Sequence, residues 1–113
     1  MMMGPGPHRP VRDLEGAIRR GDLEMASAIA RDFARAHGRP IGLELALELL
    51  PLVVAQHSEA YDEWACRWLA RWLAEMRGAS IDGAADLAAA LADLPSEPAT
   101  ALAALRRSCR PRS

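Results

Sequence analysis

The chain of 113 residues contains no lysine and no asparagine, and all 14 of its basic residues are arginine. That one-sided usage fits a GC-rich coding sequence and does not by itself call for guanidinium chemistry. An excess of either charge is missing as well. The formal net charge is −1, so no bulk field draws the chain to nucleic acid or to an anionic membrane. Cys66 and Cys109 are the only cysteines, too few for a disulfide scaffold or a thiolate metal site. The apolar run at 43–55 falls short of the roughly 20 residues a membrane span needs. The first ten residues lack the apolar core of a signal peptide. With Pro5, Pro7 and Pro10 among glycines, segment 1–10 is expected to be a disordered leader, and a cytoplasmic location is the default expectation.

What is present is an alanine- and leucine-rich half: 50% of the residues are hydrophobic. A domain of this size buries roughly 65% of the surface its unfolded chain exposes, enough for a core. Between Leu43 and Ala55 only Glu44 and Glu48 are polar, and they share one helical face. A helix with so narrow a polar edge must be covered on most of its other sides.

Six helical patterns follow the leader. The first, about 11–20, carries Val11, Leu14, Ala17 and Ile18 on one face. Asp22 is placed to cap a second over about 23–37, which Gly38 and Pro40 stop. A third, about 42–56, contains Pro51, which must kink it or end it near Leu50. Ser58 is expected to cap a fourth, about 59–76, and Gly78 to close it. Ser80 opens a fifth, about 81–93, broken by Leu94-Pro95, and Ser96 is expected to cap a sixth, about 97–109. Residues 110–113 read as a disordered tail. The fold class is therefore all-α, six helices in one domain over 11–109. Short connections make them three antiparallel hairpins, as a compact bundle or a short α-solenoid. The second helices begin at intervals of roughly 36 to 38 residues, inside the period range of helical repeats.

The segment Gly21-Asp22-Leu23-Glu24-Met25-Ala26 resembles the turn between the two helices of a tetratricopeptide repeat, with Ala26 at the packing alanine. The likeness covers one hairpin of about 25 residues. Leu14 and Ala17 stand where that family has a glycine and a large aromatic, and neither later hairpin repeats the motif. The resemblance implies a stacked-hairpin scaffold that holds a peptide or partner protein.

The chemistry-bearing side chains divide into a few constellations. Trp64, Trp68 and Trp72 hold all the tryptophan, at four-residue spacing. Each step drifts by about 40°, so Trp68 is expected in the core and either Trp64 or Trp72 at a partly exposed edge. Trp64 and Trp72, with Arg67 and Arg71 on the adjoining face, are the candidate partner-binding residues, because tryptophan is enriched where interfaces concentrate their energy. Glu44 and Glu48 are expected at a solvated edge, paired with Arg67 or Arg71. No histidine stands at the spacing of bundle metal sites, so no metal site is expected. Cys66 reads as a small buried apolar residue and Cys109 as an incidental thiol in a frayed tail, the alternative being a thiol whose pKa Arg107 and Arg110 lower. His8 lies in the leader, His37 in a helix's last turn, and His57 is separated from Cys66 by nine residues and a turn. No oxyanion site accompanies that pair, so no catalytic residue and no cofactor is assigned.

The C-terminal third resembles the helix-turn-helix of bacterial regulators, which implies a second helix in the major groove. Here that helix opens with Glu97, Pro98, Ala99 and Thr100, an acid toward phosphate and no side chain that reads bases well. Arg106, Arg107 and Arg110 are the candidate phosphate contacts of this alternative. The leading expectation is a non-enzymatic interaction module whose partner is another protein or a second copy of itself, with nucleic acid second and no membrane.

Overall fold

A computed structural model describes residues 10–76 and 78–109. The expected leader, apart from Pro10, and the expected tail lie outside the described residues. Six α-helices follow in order: α1 Pro10–Arg19, α2 Leu23–His37, α3 Leu43–Gln56, α4 Tyr61–Glu75, α5 Ile81–Asp93 and α6 Pro98–Ser108. A short 3-10 turn, Ser58–Ala60, precedes α4, and there is no strand among the described residues. The all-α expectation holds.

Local chemistry explains most of the boundaries. The Asp22 carboxylate accepts the Met25 N–H at 3.0 Å, and Ser80 Oγ accepts that of Gly83 at the same distance, so both caps form. Gly38, at φ 67°, turns left-handed and donates its N–H to Ala34 O, ending α2. Two expected caps are not made. Ser58 forms no cap bond and instead opens the 3-10 turn, in which Ala60 donates to His57 O. Ser96 Oγ turns back to Asp93 O, and Glu97 takes the N-cap position without a side-chain bond. Pro51 does not end α3, which runs on to Gln56. Leu50 and Val53, buried on either side of the proline, fix both halves to the same core.

Within the expected 11–109 range the helices divide into two compact units, one within Met1–Ile41 and one within Gly42–Ser113. The first is the α1–α2 hairpin, whose buried side chains are Leu14, Ala17, Leu23, Ala26 and Ile41. In the second, α3 packs on α4, α4 on α5, α5 on α6, and α6 returns to α3. That closure makes it a four-helix bundle rather than a solenoid, in which each hairpin would meet only its neighbours. Its core includes Leu47, Leu50, Val53, Trp68, Leu94 and Leu105.

Helix α4 pins the other three through aromatic donors. Trp68 Nε1 donates to Leu43 O in the first turn of α3 at 2.9 Å, and Trp72 Nε1 to Ser108 O, the last residue of α6, at 3.1 Å. Tyr61 Oη donates to Leu91 O in the last turn of α5. Four residues beyond Leu91 stands Pro95, which has no N–H to offer that carbonyl. The phenol fills the place, beside a longer bond of 3.3 Å from Leu94 N–H. Burial, and secondarily the Asp62 carboxylate, pushes the Tyr61 phenol up to about 12.

A stability prediction follows from the sign of that shift. The folded state holds the phenolic proton more tightly than the unfolded chain. Tyr61 therefore stabilises fully below about pH 10 and loses that contribution as pH climbs to about 12, at no more than about 1.4 kcal/mol per pH unit. With no lysine in the chain, Cys109 is the other shifted group in this range, and it is common to wild type and variant. Tyr61→Phe is expected to cost about 1–3 kcal/mol at neutral pH. Urea midpoints for both proteins should converge between pH 10 and 12, and a constant gap would refute the bond's role.

Candidate functional site

The helical wheel of α4 decides which of its side chains can meet a partner. Its buried positions are Tyr61, Ala65, Trp68 and Trp72, a face about 60° wide at 100° per residue. Trp64 stands about 40° beyond Trp68 on that wheel and is half-buried at the α3 edge. Of the two outer tryptophans it is thus Trp64 that keeps an accessible ring. Trp72 is 8% exposed and committed to Ser108, which corrects its assignment to the partner-binding surface. Cys66 stands about 100° past Ala65, off the buried face, and is exposed rather than interior.

Trp64, Arg67 and Arg71 come together along a shallow groove between α3 and α4 of about 130 Å³. Its apolar wall and floor are Ala46, Leu49, Leu50 and Trp68. Among the α3 side chains that line it, Ala46 is the small one beside Leu49 and Leu50. That residue was the available signal for the α3 side, and sequence reasoning passed over it. The guanidiniums are held by their own helix: Arg67 bonds Glu63, and Arg71 Nε lies 2.9 Å from Glu75 Oε2. On an exposed helix face such a pair four residues apart contributes only about 0.2–0.5 kcal/mol, so at exposed Arg67 exchange for another carboxylate costs little.

The expected pairing of Glu44 or Glu48 with Arg67 or Arg71 does not form. Glu48 faces α6 and takes Arg106, with Nη2 to Oε1 at 2.9 Å, while Glu44 is exposed. Arg106 is thus paired across to α3, with both side chains still partly exposed. Arg107 lines a second, wider cleft of about 900 Å³, where the end of α4 meets α5 and α6. Glu75 and Asp86 line the same cleft, giving it mixed charge, and Trp72 and Leu87 supply apolar wall. Gly83 borders it; a Cβ there would stand 3.7 Å from the Trp72 ring and 3.3 Å from Ser80 Oγ. Arg110 lies outside the described residues.

The remaining titratable side chains do not converge. Burial first, and the Glu44 carboxylate second, push the Cys109 thiol up to about 11, opposite to the alternative in which its arginine neighbours lower it. A thiol so placed is protonated at neutral pH and a poor nucleophile. His57 Nδ1 lies 3.5 Å from Glu59 Oε1, and both side chains are exposed. In the α1–α2 unit His37 packs on Phe33 with ring centroids 4.2 Å apart. Among the described residues no cluster of three His, Cys, Asp or Glu side chains is placed to hold a metal ion. Nor is any helix among them long and apolar enough to cross a membrane.

No protein-family model, curated protein or solved structure matches the chain. The tetratricopeptide likeness therefore rests on the turn at Gly21–Ala26 alone.

Proposed function

We propose that this chain is a non-enzymatic interaction module that receives a protein partner in the groove between α3 and α4. The observation that carries this reading is the half-buried Trp64 ring beside Leu49 and Leu50, rimmed by the guanidiniums of Arg67 and Arg71. An indole at the rim of an apolar groove offers large contact area at small entropic cost. The charge balance agrees, since at −1 the chain has no general attraction for polyanions.

A photo-crosslinking residue at position 64 tests the reading in extracts of the source organism. A discrete adduct is expected from position 64 and none from a control at exposed Glu97, which opens α6 and does not line the groove. Equal labelling from both positions, or none from 64, would overturn the proposal.

A further inference from the structure

The α3–α4 groove has a charge asymmetry that reaches beyond the existence of a docking site. Arg67 and Arg71 line it, whereas Glu63 and Glu75, their partners on α4, do not. No carboxylate lines it at all. The two arginines stand one helical turn apart, about 6 Å along the axis. Between them and α3 lies a space of about 130 Å³. That is close to the roughly 150 Å³ of an apolar cavity known to admit a benzene ring. A space of that size fits one large apolar side chain.

Resting on the docking reading above, we infer that the occupant is an acidic amphipathic helix of another protein. It places one leucine- or phenylalanine-sized side chain against Trp64, Leu49 and Leu50. Carboxylates about one turn apart on the same helix replace Glu63 and Glu75 at Arg67 and Arg71. The intrahelical pairs keep the guanidiniums extended along α4 until a partner arrives, which limits the ordering required on binding. A basic helix is disfavoured at the same place, because it would bring like charge against the two guanidiniums that line the groove, whose partners Glu63 and Glu75 stand outside the lining.

The test uses the full chain and three designed peptides of about 16 residues, long enough to hold a helix. One carries a single leucine with glutamates a turn apart, the second has lysines in place of those glutamates, and the third has alanine in place of the leucine. Trp64 fluorescence, identified as the part of the signal absent from Trp64→Phe, reports occupancy. The acidic leucine peptide should bind at least about tenfold more tightly than either of the others, a ratio equivalent to about 1.4 kcal/mol. An Arg67→Glu/Arg71→Glu variant should reverse the preference between acidic and basic peptides while keeping its circular dichroism. Equal binding of acidic and basic peptides with a Trp64 response overturns the acidic assignment and leaves the docking site standing. The absence of any Trp64 response overturns both.

Discussion

Trp68→Ala is expected to lower the unfolding free energy by about 3–5 kcal/mol, a large part of the 5–15 kcal/mol that holds a typical domain together. The indole is 3% exposed and sits between α4 and the first turn of α3, to which it donates at 2.9 Å. Removing it deletes the apolar contacts of a large ring and leaves a space that the leucines of α3 can only partly close. The hydrogen bond is the smaller part of the effect. Leu43 O lies in the first turn of a regular helix and faces the N–H four residues on, so truncation strands no carbonyl. Trp68→Phe, which retains most of the ring but no donor, should therefore recover more than half of the loss. Urea unfolding of both variants measures the difference. Equal losses for alanine and phenylalanine would mean that the hydrogen bond, not the packing, dominates at this position.

The same distinction between local and distant information explains which parts of the fold could be read from the chain. Helices α2 and α5 begin and end where expected because their punctuation is contiguous: Asp22 and Gly38 bracket one, Ser80 and Leu94-Pro95 the other. Ser58 and Ser96 failed as caps although each has the right side chain, because the backbone around them turns in a 3-10 or turn geometry that the residue type does not encode. The aromatic donors of α4 meet carbonyls 25 to 36 residues away, beyond any window of periodicity. Drift along the α4 wheel required one outer tryptophan to sit at an edge. Choosing between Trp64 and Trp72 required knowing that α6 ends beside Trp72. The groove was legible only in part: Arg67, Arg71 and Trp64 stood out on α4, but Ala46 and Leu49 belong to another helix. Glu48 was expected to pair with Arg67 or Arg71 on α4, and only the return of α6 to α3 brings it Arg106 instead.

Trp72→Ala tests that decision from the other side. A loss of about 2–4 kcal/mol is expected, toward the lower part of the range for buried aromatics. Trp72 borders the wide cleft between α4, α5 and α6, so water can enter the space its removal leaves. The distinctive consequence is local. Helix α6 ends at Ser108, whose carbonyl has no following helical N–H, and the Trp72 indole serves it instead. Trp72→Phe keeps the ring in the core and withdraws only that donor. Its global stability should fall by about 1–2 kcal/mol. The amides in the last turn of α6 should exchange faster than those of Leu91 and Leu94, which Tyr61 still anchors on the opposite end of α4. Trp64→Ala, by contrast, should cost about 1–2 kcal/mol, because only part of that ring leaves water on folding, and should leave α6 exchange unchanged. Hydrogen exchange read residue by residue separates these outcomes. If the end of α6 stays protected in Trp72→Phe, the helix is held by packing alone and the indole bond is incidental. If Trp64→Ala loosens α6 as much as Trp72→Phe does, then Trp64 belongs to the core and the groove beside it is no docking surface.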